Sequence, residues 1–328
     1  MKIRPTILEY YDKLNSVCSF WRGRGPLSEL SRLDKVKIVE SNWKHDWSIM
    51  RLFDIVFFQR PVHKNCLDQV LACKDLGLKI WVDLDDWMYI PEKHCMYQEY
   101  NTNFDELSFR KILLCADVIT VTNERLKESL VEYLEDIKDK IEIIPNALND
   151  HVYSIKPCSS NKSILYRGGE VHRYDMDEYQ NEISRFLMQN PDWMFYAIGH
   201  DVRRLRKLDN YQYLGGFDIH SYMGLIANMN PSVMIVPLSD NKFNRNKSNI
   251  SWIEGTMAGA ACIVPDYFTD ATGLKYSSKN EFKTCLEELT SDEKMRYNIH
   301  STSKDIIERD FLLSKVNDQR IQIIKNIL

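Results

Sequence analysis

The stretch Asn241–Gly255 places a cation, a helix start and a carboxylate at spacings that suit a nucleotide. A strand is predicted to end near Leu238, a polar loop follows, and a helix is predicted to begin at Lys247–Ser248. The free N–H groups and positive dipole end of a helix start favour a phosphate, and Lys247 adds a full charge there. Glu254 lies two turns further on, about 10 Å by helix rise, where a carboxylate could accept ribose hydroxyls. The alternative is an ordinary loop lysine and a solvated helix carboxylate.

A second set of candidate phosphate ligands follows the first predicted strand of the second half of the chain. Arg167 can offer a planar fork of donors to a diphosphate, and Gly168 and Gly169 allow a close backbone approach. The alternative is that Arg167 is a surface loop arginine.

Three carboxylates stand at the end of the predicted strand Lys79–Leu84 and just beyond it. Strand alternation places Asp83 and Asp85 on one face and turns Asp86 into the loop, which also contains His94. We expect Asp85 and Asp86 to act in catalysis, by binding sugar hydroxyls or taking a proton from an acceptor. A cation site, or a helix cap without a ligand, is the alternative.

A loop rich in arginine and glycine is predicted after a first strand at 4–9. Trp21, Arg22, Gly23 and Arg24 in this loop combine donors for phosphate with a flexible backbone; a plain surface turn is the alternative. A basic run follows the strand at 193–198 and is either a solvated face or a rim for an anionic partner: Arg203, Arg204, Arg206 and Lys207.

Short apolar runs alternate with helical patterns along the chain, which predicts α/β domains with parallel sheets. Strands are predicted at 4–9, 36–39, 54–58, 79–84, 117–122 and 141–144, and after the polar linker 156–162 at 163–166, 193–198, 211–214, 232–236 and 261–264. Helices are predicted at 66–76, 124–139, 177–189, 219–229 and 248–258, with a capping box at 290–293 before a C-terminal helix. Ligands of such sheets bind beyond the carboxyl ends of the strands, where the polar clusters lie.

Composition and missing motifs exclude several classes of protein. The 328 residues suffice for roughly two domains of about 150 residues each. With 43 basic and 47 acidic residues the net charge is -4, so the chain has no general attraction for a polyanion. The eight cysteines form no C-x-x-C pair, which speaks against zinc and redox dithiols. A nucleotide-binding G-x-G-x-x-G near the start, a P-loop and a G-x-S-x-G elbow are all missing.

Residues 211–265 resemble the donor-binding half of retaining GT-B glycosyltransferases of the family-four type. The shared order is a strand with Leu-Gly-Gly at 214–216, a helix, a strand ending in Pro237, a Phe-Asn-x-x-Lys-Ser loop, a helix with Glu254 and a further strand. Residues 116–123 and 143–147 resemble the strand before the interdomain connection and the connection itself. Two departures are clear. The first of the family's two glutamates is absent, since its position falls near Asn246. The family's lysine after the first strand of this domain is also missing, and His172 or Arg173 would stand in for it.

The resemblance implies two Rossmann-like doubly wound domains that face a cleft. Residues 1–152 would form the acceptor side and 153–305 the nucleotide-sugar side, with the last helix, about 306–328, packing back on the first. Donor contacts would come from Gly168, Gly169, Gly216, Ser248 and Glu254. The loop 21–24 would face the phosphates and the acceptor. No metal or other cofactor is expected.

The implied reaction moves a sugar from a nucleotide sugar, with a UDP-sugar favoured, to a hydroxyl acceptor with retention of configuration. The leaving phosphate would take the acceptor proton while Arg167 and Lys247 stabilise its charge. Alternatives are a nucleotide-sugar epimerase or hydrolase on the same fold, or a degenerate sugar-nucleotide-binding protein. The missing apolar leader predicts a cytoplasmic protein, in the host cytoplasm if a phage encodes it.

Two acceptor classes remain open, and a glycan is the preferred one. The chain is rich in Lys, Asn and Tyr, has 12 glycines and 10 prolines, and resembles bacteriophage glycosyltransferases that modify hydroxymethylated pyrimidines in DNA. Such an acceptor needs cations for its phosphates, here Arg22 and Arg24, and an aromatic residue for an extruded base, here Trp21. The net charge of -4 favours the glycan.

Overall fold

The first of two parallel sheets is built by the N-terminal part of the chain. The computed structural model describes residues 5–10, 17–41, 50–63 and 65–328. Six strands form this sheet in the order β2-β1-β3-β4-β5-β6: β1 Thr6–Tyr10, β2 Lys37–Ser41, β3 Ile55–Gln59, β4 Lys79–Leu84, β5 Val118–Val121 and β6 Ile141–Ile143. The strands β3 and β5 are buried throughout, as expected for inner strands covered by helices on both faces.

The second sheet repeats this architecture. Its six strands run in the order β12-β11-β10-β7-β8-β9: β7 Ser163–Gly168, β8 Met194–Gly199, β9 Tyr211–Tyr213, β10 Val233–Ile235, β11 Ala261–Pro265 and β12 Leu274–Tyr276. The strand order reverses between β7 and β10 here and between β1 and β3 in the first sheet. Ligands of doubly wound sheets bind beyond the carboxyl ends of the strands at these points. The α/β fold class predicted from the sequence is confirmed.

The helices that connect and cover the strands are α1 Val17–Arg22, α2 Arg24–Arg32, α3 Cys66–Asp75, α4 Tyr97–Asn103, α5 Glu106–Cys115, α6 Glu124–Tyr133, α7 Arg173–Gln189, α8 Ile219–Met229, α9 Lys242–Arg245, α10 Ile250–Met257, α11 Lys279–Ser291, α12 Glu293–Asp310 and α13 Leu313–Ile327. Short 3-10 segments lie at Glu135–Lys140, Glu170–His172 and Arg203–Leu205. Within the described ranges, the helices include none that is long and apolar enough to cross a membrane.

The last helix lies against the first sheet. Leu313 and Val316 of α13 share an apolar cluster with Ile7 of β1 and Leu27 of α2. The side-chain amide of Asn317 donates to the carbonyl of Pro26 over 3.1 Å. The chain therefore returns from the second sheet to the first over its final residues.

Several local predictions are wrong, and each has a physical reason. The loop predicted at 19–26 is mostly helical, because Trp21 of α1 and Leu27 and Leu30 of α2 are buried. The predicted helix 124–139 ends at Tyr133, and the one predicted at 177–189 begins at Arg173. The capping box is shifted: Asp292 caps α12 by accepting from the Met295 N–H. Position 4 of the first predicted strand lies outside the described residues.

Candidate functional site

The loop at 246–248, called here the donor loop, connects α9 to α10 at the carboxyl end of β10. The Lys247 Nζ lies 3.5 Å from Asp86 Oδ1 and 4.2 Å from the centre of the Phe243 ring. Its side chain is 14% exposed, so it is held between the two sheets rather than free in solvent. Asn246, at the position of the family's first glutamate, is buried and its amide donates to the Lys242 carbonyl over 2.7 Å, while its Oδ1 has no hydrogen-bond partner among the described residues.

Two asparagines of the first sheet hold the donor loop from the opposite side. Asn123 caps α6 by accepting from the Leu126 N–H over 3.0 Å, and its amide donates to the carbonyl of Lys247 over 3.3 Å. Asn146 donates to Ser248 Oγ over 2.8 Å. The position of Lys247 is thus fixed by backbone and side-chain contacts that span the two halves of the chain.

Helix α10 packs closely on the second sheet, and this packing fixes the end of the donor loop that leads into the helix. A Cβ at Gly255 would lie 2.7 Å from Met234 Sδ and 2.8 Å from Cys262 Sγ, so only glycine allows this approach. Trp252 of the same helix is fully buried and donates to Ser303 Oγ over 3.1 Å. The start of α10 therefore has a rigid support.

Arg60 is a cation of the site that the sequence reasoning missed. It directly follows β3 and pairs with both Asp85 and Asp86. Its φ of 48° lies in the left-handed region, which is uncommon for a residue with a long side chain. Burial alone would raise the pKa of the Asp86 carboxyl, but the charges of Lys247 and Arg60 hold this pKa below its ordinary value. The position of Arg60 after a predicted strand was the available signal.

Arg167 and Glu254 form a buried ion pair beside the donor loop. Arg167 Nε lies 2.6 Å from Glu254 Oε2, and the Tyr222 hydroxyl donates to the same oxygen over 2.9 Å. Glu254 is 1% exposed, and burial raises the pKa of its carboxyl while Arg167 opposes the shift. The predicted free carboxylate for ribose is therefore occupied in this structure. A ribose reaches it only by displacing Arg167 or Tyr222.

The glycines at the end of β7 make room for side chains at the start of α7. A Cβ at Gly168 would lie 2.4 Å from the Tyr166 hydroxyl and 3.2 Å from the His172 Cβ. Gly169 has only Val171 Cγ2 near such a Cβ, at 3.8 Å, and leads into the 3-10 turn. Gly216 lies in the exposed connection between β9 and α8, and a Cβ there would meet nothing within 4 Å.

Arg22 does not face a phosphate site, which corrects the prediction for this residue. Its guanidinium is 1% exposed and binds Asp83 through Nε at 3.0 Å and Nη2 at 2.7 Å. Nη1 donates to the carbonyl of Ile144 and, over 3.3 Å, to Asn146 Oδ1. Asp83 also accepts from Thr120 Oγ1 over 2.6 Å. Both partners are thus saturated within the first sheet.

The neighbours of Arg22 also depart from the predicted loop. Trp21 is 4% exposed and packs in the apolar cluster of the second sheet, so it cannot stack on an extruded base in this structure. Gly23 is buried between α1 and α2. Arg24 begins α2, is 45% exposed and pairs with Glu40 at 3.3 Å. Of this set, Arg24 alone exposes its charge.

Within the described part of the chain, His94 contacts residues of the site, whereas the basic run at 203–207 does not. His94 contacts the rings of Tyr174 and Phe243, with centroids 6.0 and 5.8 Å apart, and so bridges the cleft. In the basic run after β8, Arg206 pairs with Asp201 at 2.6 Å, and its other cations are exposed. This run has the contacts of a solvated face.

The acidic residues beside the cleft are engaged by arginines. Asp83 binds Arg22, and Asp85 and Asp86 bind Arg60. Among the residues that the structure describes, there is no group of three or more His, Cys, Asp or Glu side chains placed to hold a metal ion.

Solved structures of the same architecture exist at low sequence identity. HepE from Anabaena in complex with UDP-glucose is 12% identical, with a TM-score of 0.67 over 99% of this chain and 100% of HepE. An α-glucosyltransferase in complex with UDP and a 13-mer DNA containing an HMU base is 9% identical, with a TM-score of 0.65 over 98% of this chain and 100% of that one.

A third similar structure is that of the pneumococcal O-GlcNAc transferase GtfA in complex with UDP and GlcNAc. It is 13% identical, with a TM-score of 0.60, over 86% of this chain and 59% of GtfA. No protein-family model matches the sequence. No curated protein matches it either. At these identities the likeness concerns the fold, and the fold of this chain is the GT-B fold of these glycosyltransferases.

Proposed function

We propose that this protein is a glycosyltransferase that moves a sugar from a UDP-sugar to a hydroxyl acceptor with retention of configuration. The observation that carries the proposal is the convergence of Arg167 and Lys247 on the strand-order reversal between β7 and β10. Structures with the same fold hold UDP and sugars, among them HepE with UDP-glucose. The second half of the chain would bind the donor and the first half the acceptor.

The two cations would act on the leaving diphosphate. Arg167 is held by Glu254, and Lys247 turns from Asp86 to the diphosphate when the donor binds. Both cations are then in place before negative charge develops on the leaving oxygen. Charge-assisted hydrogen bonds of this kind contribute about 1.5–3 kcal/mol each. No metal ion is required for this role in the proposal.

The acidic rim would serve the acceptor or the transferred sugar. Asp86 lies between Lys247 and Arg60, and its side chain is 22% exposed. A bound diphosphate would pair with Lys247 in place of Asp86. One carboxylate oxygen of Asp86 would then be free to contact the sugar. Asp85 would act beside it through Arg60.

A transfer assay with labelled donors tests the proposal. Wild-type protein is incubated with UDP-, GDP- and ADP-sugars, with and without a panel of glycan acceptors. Acceptor-dependent transfer from a UDP-sugar supports a glycosyltransferase. Donor hydrolysis alone would favour the hydrolase, sugar interconversion the epimerase, and donor binding without turnover a degenerate binding protein.

A glycan is the proposed acceptor class, and a hydroxymethylated pyrimidine in phage DNA is the second candidate. The α-glucosyltransferase with HMU-containing DNA supports the second candidate, since the fold covers both chains almost completely. Against it, Trp21 and Arg22 are buried, which removes two of the three residues invoked for DNA. Labelled transfer to DNA containing 5-hydroxymethylcytosine or 5-hydroxymethyluracil, with unmodified DNA as control, separates the two. Salt-sensitive transfer to modified DNA alone would reverse the ranking.

A further inference from the structure

His172 and Asp175 form a pair at the start of α7 that the roles assigned so far do not use. His172 Nδ1 lies 3.0 Å from Asp175 Oδ2. Asp175 is completely buried, and its other oxygen accepts from the Ser239 N–H at 3.0 Å and from Asn244 Nδ2 at 2.7 Å. We assign the hydrogen of this contact to His172 Nδ1, because the carboxylate oxygen is the acceptor. The Nε2 atom then carries the lone pair.

The surroundings of this pair place it beside the proposed diphosphate site. His172 packs over Gly168, whose missing Cβ makes room for it, and its side chain is 21% exposed. Lys247 of the donor loop and Arg167 of β7 are close enough to act on its charge. From the loop after β4, Asp86 and His94 also interact with the charge of this imidazole. Titratable groups from both halves of the chain thus act on His172.

These surroundings favour the neutral imidazole. Burial lowers the pKa of His172, and the charges of Lys247 and Arg167 add to this, while the hydrogen bond to Asp175 and the charge of this carboxylate oppose it. A neutral histidine held by a buried carboxylate is the arrangement that makes imidazole an effective proton acceptor. Arg173, the other candidate at this turn, is half exposed and pairs with Glu170 at 3.5 Å and Asp177 at 3.8 Å.

We propose that His172 Nε2 is the final proton acceptor of the transfer reaction and that Asp175 stabilises the imidazolium that forms. This proposal rests on the proposed function. As the bond from the sugar C1 to the diphosphate oxygen breaks, C1 bonds to the acceptor oxygen. The acceptor hydroxyl proton passes to the leaving diphosphate oxygen and from there to Nε2. The nucleoside diphosphate leaves with its full negative charge, and His172 returns the proton to water.

Three variants test the assignment. His172→Gln removes the base, and His172→Lys restores a positive charge without a lone pair at neutral pH. Arg185→Gln, at an exposed arginine of the same helix, is the control. The measurements are kcat as a function of pH and the affinity for UDP by titration calorimetry. For the wild type, kcat falls as the pH drops below the ordinary histidine value of about 6.5, because the base becomes protonated.

The expected result is a kcat lowered by about 10²–10⁴ in both His172 variants, with the acidic limb lost in His172→Gln. The UDP affinity of His172→Gln stays close to that of the wild type, and Arg185→Gln behaves as wild type. Restoration of kcat by His172→Lys would contradict the assignment, because it would mean that His172 acts as a phosphate-binding cation and not as a base. An unchanged kcat and pH profile in His172→Gln would overturn the assignment alone. A wild type that neither binds UDP nor transfers sugar would overturn the proposed function first.

Discussion

The ammonium group of Lys247 lies 3.5 Å from the carboxylate of Asp86, and the two residues belong to different sheets. This pair closes the cleft at the point where the second sheet reverses its strand order. In the proposed function, a diphosphate that binds there would compete with Asp86 for Lys247. Donor binding would thereby release the Asp86 carboxylate, which follows a strand of the first sheet.

The first prediction concerns the charge at this contact. Lys247→Ala lowers kcat/KM by about 10- to 150-fold, because it removes one charge-assisted phosphate contact of about 1.5–3 kcal/mol. Arg245→Ala is the control from the neighbouring helix, since its exposed pair with Asp240 lies outside the cluster. Steady-state kinetics with the labelled donor measures both. Equal kcat/KM values for both variants would mean that Lys247 does not contact the diphosphate.

The second prediction concerns pH and stability. Asp86 has a lowered pKa in the folded protein, so it stabilises the fold above its ordinary value of about 3.9, and this contribution disappears as the pH falls through the lowered pKa. Asp86→Asn is therefore less stable than wild type at pH 7, and the difference narrows below about pH 4. Urea unfolding across this range checks the trend. A difference that is constant with pH would contradict it.

The third prediction separates two neighbouring arginines. Arg22→Ala costs roughly 3–5 kcal/mol of unfolding free energy, because it leaves the buried Asp83 without its main counter-charge. Arg24→Ala costs about 0–1 kcal/mol, since its pair with Glu40 is exposed. Denaturant unfolding of both variants gives the comparison. Similar losses would mean that the burial of Arg22 is misjudged.

The fourth prediction concerns the buried pair at the nucleotide side. Glu254→Gln lowers stability because Arg167 loses its charged partner inside the protein. It also lowers UDP affinity, because Arg167 is no longer held in position and the ribose hydroxyls lose a carboxylate acceptor. Tyr222→Phe is the milder control, since it removes one neutral donor to the same oxygen and costs about 0.5–1.5 kcal/mol. Thermal unfolding with and without UDP measures the two effects. Wild-type stability of Glu254→Gln would speak against a functional ion pair.

The fifth prediction concerns metal ions. Transfer activity persists in EDTA, because Arg167 and Lys247 supply the positive charge at the diphosphate. Activity after chelation is compared with activity after added Mn²⁺ or Mg²⁺. Loss in EDTA with rescue by Mn²⁺ would replace the proposed charge stabilisation by a metal.

The sequence predicted the sheets well because their signals are local. Buried inner strands such as β3 and β11 are continuous apolar runs, and the residues after them identify the edge where ligands bind. Lys247 and Arg167 lie in such positions, and their placement at this edge follows from chain order. Their roles in catalysis stay predictions.

The contacts between side chains could not be predicted in the same way. The pairing of Arg22 with Asp83 joins residues 61 positions apart and depends on how α1 packs on the sheet. A run of arginine and glycine is typical of an open loop. The structure instead buries Trp21 in the apolar cluster of the second sheet, a contact that the local sequence does not indicate. Arg60 shows the opposite case: a single residue after a strand has no motif, and its role emerges only from the two carboxylates it binds.

A structure of the protein in complex with UDP or UDP-glucose tests the central claim most directly. The account predicts that the diphosphate contacts Arg167 and Lys247 at the carboxyl ends of β7 and β10, with the Lys247–Asp86 contact opened. His172 Nε2 should lie within hydrogen-bond distance of a phosphate oxygen. Nucleotide bound elsewhere on the protein, or a diphosphate that contacts neither Arg167 nor Lys247, would contradict it.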